Sequence, residues 1–172
     1  MMSVNNSLEN ISIDHKVLGF CLDHSFFCKV KNILEHNMFS GHLKEIFDTI
    51  NSAHIKYEKN ITHGELFALH VDRHPAMPMA TKNEINSIIQ SLPPDANNHE
   101  LQMDVVKNFW LRDRARVIGE KAIAIFTGQE NDFGDLQRIM DTVEDGRMHD
   151  KTTYIEVEND LDELLDHGSS AP

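Results

Sequence analysis

The chain has 172 residues, of which 40% are hydrophobic and 26% charged, enough for one ordinary globular domain or one domain with an extension. Its formal net charge is −12, and no apolar run approaches the about 18–20 residues that a membrane-spanning helix requires. The first residues do not show a basic region followed by an apolar segment, so no secretory signal is expected.

The negative charge is concentrated at the C-terminal end. Residues 130–172 hold 13 of the 28 acidic residues but only 3 of the 16 basic ones. Such a segment repels phosphate, so it is not expected to be a nucleic-acid-binding surface itself. The two cysteines, Cys21 and Cys28, fall within a predicted helix, where the rise would place them about 10 Å apart and out of disulfide reach. This cysteine usage indicates a reducing compartment.

Helical periodicity runs through residues 14–92 and predicts a compact group of short helices. Side chains that accept hydrogen bonds from backbone N–H groups mark the expected starts of several helices. The predicted N-caps are Asp14, Ser25, Thr62 and Thr81, the last two forming capping boxes with Glu65 and Glu84. In the helix HLKEIFDTINSAHIKY the residues predicted to face inward are Leu43, Ile46, Phe47, Ile50 and Ile55.

A turn-rich hinge over residues 93–98 separates this group from a long predicted helix over residues 99–126. Its apolar residues form two strips. The broad strip, predicted to face the core, contains Leu101, Val105, Phe109, Leu111, Ala115, Ile118, Ala122, Ile125 and Phe126. The narrow strip on the far side contains Val106, Trp110 and Val117, and we expect it to contact a second copy of the chain.

Gly128 is predicted to end the long helix, and Asp132 to cap a second helix that closes at Gly146. The sequence therefore predicts an all-α fold, with a flexible N-terminus over residues 1–13, a globular helical subdomain over 14–92 and a helical hairpin over 99–146. Residues 147–172 are predicted to form an acidic linker to a missing ATPase domain. The linker contains a short docking helix over residues 160–166, whose apolar strip is predicted to be an interface formed by Leu161, Leu164 and Leu165.

No catalytic or cofactor-binding residue is predicted. The chain contains neither the G-x-x-x-x-G-K-[ST] loop that binds nucleotide phosphates nor a G-x-S-x-G nucleophile motif. His70 and His74 lie four residues apart in HVDRH, which lacks the glutamate of the H-E-x-x-H zinc motif. Cys21, His24 and Cys28 share a helical face but do not have the four-ligand spacing of a structural zinc site. No metal site is therefore expected from the sequence.

Several segments resemble the N-terminal domain of hexameric replicative DNA helicases of the DnaB type, and phage versions most closely. Val17, Leu18 and Gly19 stand at the position of the family's VLG motif. The segments MFSGHLKEIFDTI and KNITHGELFALH are similar to the helices that follow, and FWLRDRARVIGEKAIAIF and DLQRIMDTVE to the two arms of the helical hairpin. YIEVENDLDELLDHGSSAP resembles the linker before the ATPase domain. The resemblance runs from about His15 onward and rests on apolar spacing and a few small residues.

This resemblance implies a function in assembly. In the family, N-terminal domains pair through the hairpin, and three pairs form a collar that contacts primase and, in some systems, a helicase loader. The linker helix docks on the neighbouring subunit. The parent protein would be an ATP-dependent DNA helicase that uses ATP and Mg²⁺ and contacts DNA through its ring, whereas no activity is expected for this chain alone. A cytoplasmic location is expected, that of the host if a phage encodes the chain.

Two other functions are left open by the sequence. The chain would instead be a free-standing regulatory protein that binds a helicase or primase if the native reading frame stops after Pro172. It would be a metal-dependent enzyme that uses its histidines if it binds stoichiometric metal.

Overall fold

The computed structural model describes residues 12–93 and 98–146, and within these ranges all regular structure is helical, which confirms the predicted all-α class. A short 3₁₀ turn, His36–Met38, separates the second and third α-helices. No helix of the described residues is long and apolar enough to cross a membrane. The helices are α1 (Ile13–Phe20), α2 (His24–Val30), α3 (His42–Tyr57), α4 (His63–Arg73), α5 (Met79–Ser91), α6 (His99–Phe126) and α7 (Phe133–Glu144).

The predicted flexible N-terminus lies almost wholly outside the described residues, and the predicted linker over residues 147–172 lies outside them entirely. The interface predicted from Leu161, Leu164 and Leu165 belongs to that linker. The chain divides into two units whose boundary falls inside α6, between Asp113 and Arg114. The first turns of the long helix, up to Asp113, therefore belong to the first unit.

Two of the predicted N-caps are confirmed. At α4, the Glu65 N–H donates to Thr62 Oγ1 at 3.2 Å, and the Thr62 N–H donates to Glu65 Oε2 at 2.9 Å. This reciprocal pair is the predicted capping box. At α7, the Asp132 carboxylate accepts from the Asp135 N–H at 2.9 Å. Both caps satisfy N–H groups that have no partner within the helix.

The other three predicted N-caps are wrong by a few residues. Helix α2 is capped by Asp23, whose carboxylate accepts from the Phe26 N–H at 2.7 Å, and not by Ser25. Helix α1 begins one residue before Asp14, which lies in the first turn, where its charge favours the positive end of the helix dipole. Helix α5 begins at Met79 after Pro78, so Thr81 and Glu84 are already inside the helix.

The core of the first unit combines residues from α1 to α6. Phe39 links two parts of it, because its ring stacks on Phe47 at 4.9 Å between centroids and lies 5.1 Å from the ring of Phe109. Helix α3 packs against α1 and α4, and α4 packs against α5. The largest fully buried apolar side chains are Phe26, Phe39, Leu18, Ile46, Ile50, Leu66, Ile85, Ile89, Val17 and Val30.

The prediction for one residue of the inner face of α3 is wrong. Ile55 is 72% exposed, while the preceding residue, His54, is buried. A turn of 3.6 residues brings position 54, not 55, onto the face of Ile50 and Phe47. The ring of His54 stacks on Phe27 with 4.4 Å between centroids. A polar residue therefore fills a position that the hydrophobic pattern had assigned to its apolar neighbour.

Residue 19 must be glycine because Pro93 passes too close to it to leave room for a side chain. A Cβ atom added there would lie 2.7 Å from Pro93 Cδ and 2.8 Å from the Pro93 carbonyl oxygen. We expect Gly19→Ala to lower the free energy of unfolding by about 1–3 kcal/mol, because backbone must shift to accept the methyl group. Gly64→Ala is the matched control, since its added Cβ meets no atom within 4 Å. Equal stabilities of the two variants in urea unfolding would contradict this packing.

Candidate functional site

The predicted interface strip of α6 does not lie on the surface as expected. Val106 is fully buried, Trp110 is 7% exposed and Val117 is half-buried. By contrast, Leu101 and Phe126 of the strip predicted to face the core are 60% and 91% exposed. The assignment of the two faces is therefore corrected for the first half of the helix. Its buried residues are Gln102, Val106, Phe109, Trp110 and Asp113.

Two of the buried positions of α6 are polar. Residues 102, 106, 109 and 113 recur at steps of three and four and so form one continuous face. Gln102 and Asp113 are 2% and 5% exposed, and both make polar contacts. Because Gln102 and Asp113 are polar, apolar periodicity does not mark this face, and of the strip predicted to face the core only Phe109 is buried.

The second unit contains an uncovered apolar surface. Within residues 114–146, which form the end of α6, a turn and α7, no residue is buried. Helix α7 repeats apolar residues at steps of three and four through Phe133, Leu136, Met140 and Val143, which defines one apolar face. Four large apolar side chains of the unit are exposed, and together we call them the hairpin patch: Ile123 (64%), Phe126 (91%), Phe133 (67%) and Met140 (45%).

Polar contacts, rather than a core, hold the turn of this hairpin. Lys121 of α6 pairs with Asp135 of α7 and lies 3.4 Å from the Glu130 carboxylate. The hydrogen bond to Asp135 raises the pKa of Lys121, and the same bond lowers the pKa of Asp135. Gly128 in the turn has a φ of +76°, a left-handed conformation that favours glycine. The hairpin is thus closed at its turn while the four side chains of the hairpin patch remain exposed.

A cluster of metal-ligating side chains lies in the first unit, apart from any predicted interface. Glu45 of α3 and His70 and His74 of α4 each offer a ligand atom, and these three atoms lie within 4.8 Å of one another. Among the described residues this is the one such group of three or more. The two histidines fall in HVDRH, from which no metal site was expected, and Glu45 joins them because α3 packs against α4.

Among the described residues, Cys21, His24 and Cys28 do not come together as a group of three ligands. Cys28 Sγ lies 3.6 Å from His24 Nε2, and the Nδ1 atom of His24 lies 3.0 Å from that of His54. Burial strongly raises the pKa of the Cys21 thiol, so this cysteine remains protonated. Both cysteines are free thiols, and they lie on different elements, Cys21 just after α1 and Cys28 in α2.

Two buried histidines make the fold sensitive to acid. Burial lowers the pKa of His54 below its ordinary 6.5 and lowers that of His70 to about 4. The unfolded chain therefore binds more protons than the folded chain below pH 6.5, and the free energy of unfolding decreases as the pH falls through this range. The free energy of unfolding reaches its full value well above pH 6.5, where these histidines are neutral in both the folded and the unfolded chain.

We expect the metal-free protein to lose about 2 kcal/mol or more between pH 7.5 and pH 5, measured by urea unfolding in the presence of a chelator. His54→Gln should reduce this loss, because glutamine can still donate to the Cys21 carbonyl, which His54 Nε2 contacts at 2.6 Å, but does not titrate. His36→Ala is the control, since His36 is exposed. A stability that stays constant down to pH 5 would contradict the assignment of neutral buried histidines.

A scan of the chain against models of known protein families finds no match. A search of curated protein sequences also finds no relative.

Proposed function

We propose that this chain is the N-terminal collar and assembly module of a replicative DNA helicase of the DnaB type. In this proposal the chain mediates ring oligomerisation, and copies associate through the hairpin over residues 114–146. The same collar would contact primase or a helicase loader. ATP and Mg²⁺ would be bound by the ATPase domain of the parent protein, and DNA would be contacted through its ring. The sequence resemblance and the structure of the hairpin support the proposal.

The observation that carries the proposal is the uncovered hairpin patch. A hairpin of two amphipathic helices normally buries its apolar faces against another layer. Here the 33 residues from 114 to 146 include no buried side chain, although α7 has a continuous apolar face. Covering a large apolar side chain contributes about 1.5–3 kcal/mol, so the four residues of the patch provide enough surface for association. In the family that this chain resembles, N-terminal domains pair through the hairpin.

A second copy is the occupant that the geometry favours. Pairing two identical hairpins across a two-fold axis covers both patches at once, because each patch meets its own equivalent. The turn is already closed by Lys121, Glu130 and Asp135, so the hairpin enters the contact preformed. A preformed surface loses less conformational entropy on binding. Three such pairs would form the six-subunit collar implied by the resemblance.

The mass of the chain in solution tests this proposal. Light scattering behind size exclusion, across a range of protein concentrations, should show dimers or hexamers of the 19.7 kDa chain. A chain that remains monomeric at high concentration would contradict self-association.

A further inference from the structure

Three metal-ligating groups meet where α3 packs against α4. His70 and His74 are separated by four residues, so they occupy one face of α4, and their ring centroids are 4.5 Å apart. Glu45 on α3 brings a carboxylate to the same place, with all three ligand atoms within 4.8 Å of one another. Glu45 is exposed, His74 is half-buried and His70 is fully buried. The group therefore runs from the surface into the interior.

The hydrogen bonds of Thr49 determine the tautomer of His70. The Thr49 hydroxyl donates its single proton to the Glu45 carbonyl oxygen at 3.0 Å. Thr49 Oγ1 also lies 2.8 Å from His70 Nδ1, so in this contact Oγ1 accepts and Nδ1 carries the proton. A neutral imidazole has one protonated nitrogen. His70 Nε2 therefore has a free lone pair, which is the form that binds a metal ion.

His74 is held in the same way. Its Nδ1 lies 2.9 Å from the carbonyl oxygen of His70, and since a carbonyl can only accept, Nδ1 carries the proton. The Nε2 atom of the neutral His74 ring is again the unprotonated nitrogen. Metal-binding histidines almost always donate their other ring N–H to a carbonyl or another oxygen, which fixes the ring orientation. Both His70 and His74 show this arrangement.

The buried end of the group has an unpartnered polar atom. His70 is 0% exposed, and its Nε2 atom is buried without a hydrogen-bond partner. Buried polar atoms without a partner are rare in folded proteins, and an unoccupied ion site is one recognised reason for them. This observation is independent of the proximity of the three groups, and it points to a ligand at the same position.

From these contacts we infer that Glu45, His70 and His74 form a binding site for a divalent transition metal ion of the zinc class. The two Nε2 atoms and the Glu45 carboxylate are the ligands, and water occupies the remaining position. Imidazole nitrogen and carboxylate oxygen are ordinary zinc ligands, at about 2.0–2.2 Å. Tetrahedral coordination places ligand atoms about 3.3 Å apart. The ligand atoms now lie within 4.8 Å of one another, so the exposed Glu45 side chain would move closer when the ion binds.

The charges that act on His70 make the Glu45 carboxylate important for holding a cation. Arg73 and His42 are the nearby groups whose positive charge opposes a cation, as they do the protonation of His70. Glu45 acts in the opposite direction. Losing the negative charge of Glu45 should therefore weaken metal binding even where its amide analogue keeps the same shape.

The test is a zinc titration of the full chain, free of any affinity tag, against a competing chelator. We expect one zinc ion per chain and a rise in the thermal unfolding temperature. His74→Ala and Glu45→Gln should each weaken binding by more than about tenfold. Both variants change residues outside the apolar core, whereas a change at the fully buried His70 risks unfolding the protein. The matched controls are His36→Ala and Glu100→Gln, which alter exposed residues that are not part of the cluster and should leave the affinity unchanged.

Cobalt absorption distinguishes this site from one that uses a cysteine. Cobalt bound by His70, His74 and Glu45 should give visible bands without the strong thiolate charge-transfer band. Three results would overturn the inference: no stoichiometric binding by the wild-type chain, equal affinity of the wild-type, His74→Ala and Glu45→Gln proteins, or a thiolate band that disappears in Cys28→Ser.

Discussion

Trp110→Ala is expected to lower the free energy of unfolding by about 3–5 kcal/mol. The Trp110 side chain is 7% exposed, so its removal leaves a cavity that the surrounding side chains fill only in part. Urea unfolding, at a concentration low enough for the chain to be dissociated, measures the effect. Phe126→Ala is the matched control, because this aromatic residue of the same helix is 91% exposed and its loss should change stability by less than about 0.5 kcal/mol.

The sequence pattern alone assigned Trp110 to an interface between copies, and this pair of variants separates the two roles. A Trp110→Ala protein that keeps wild-type stability but no longer associates would restore the interface assignment. Strong destabilisation by Trp110→Ala, with Phe126→Ala unaffected, would establish that Trp110 stabilises the fold within a single chain.

Phe126→Asp is expected to weaken self-association by about 2 kcal/mol or more, which corresponds to a dissociation constant roughly 30-fold higher. Phe126 is the most exposed residue of the hairpin patch, so covering it against a second copy removes a large apolar area from water. An aspartate at this position would have to lose its hydration on association. Sedimentation equilibrium gives the dissociation constant directly.

Gln129→Asp is the control for this change. It adds the same charge to an exposed position of the same unit without removing an apolar side chain. Urea unfolding of both variants should show that neither loses the folded first unit. Equal dissociation constants for Phe126→Asp and the wild-type chain would exclude this part of the hairpin from the contact.

Local sequence signals predicted the helices and two of their starts well. The capping box of Thr62 and Glu65 and the cap at Asp132 require only residues three positions apart, and both are present in the structure. Helix α3 likewise has the predicted residues 42–57. Such signals act within a single turn of helix and do not depend on what the helix packs against. The all-α class follows from them.

The buried face of α6 was not predictable in the same way. Apolar residues occur on two sides of this helix, and the side that is buried includes Gln102 and Asp113. These polar positions are buried because of how the rest of the chain packs against α6, which the sequence of the helix does not show. The ligand cluster has the same limit: the spacing of His70 and His74 is visible in the sequence, but Glu45 lies 25 positions before His70 and reaches it through packing of α3 on α4.

The most direct test of the account is hydrogen–deuterium exchange of the full chain at several protein concentrations. A hairpin without buried residues should exchange its amides quickly when the chain is dissociated, since few packing contacts oppose local opening. Protection over residues 114–146 should rise with protein concentration, while α3, which lies in the core of the first unit, stays equally protected throughout. Exchange over residues 114–146 that does not change with concentration, in a chain that light scattering shows to associate, would place the contact elsewhere and contradict the assembly surface proposed for the hairpin.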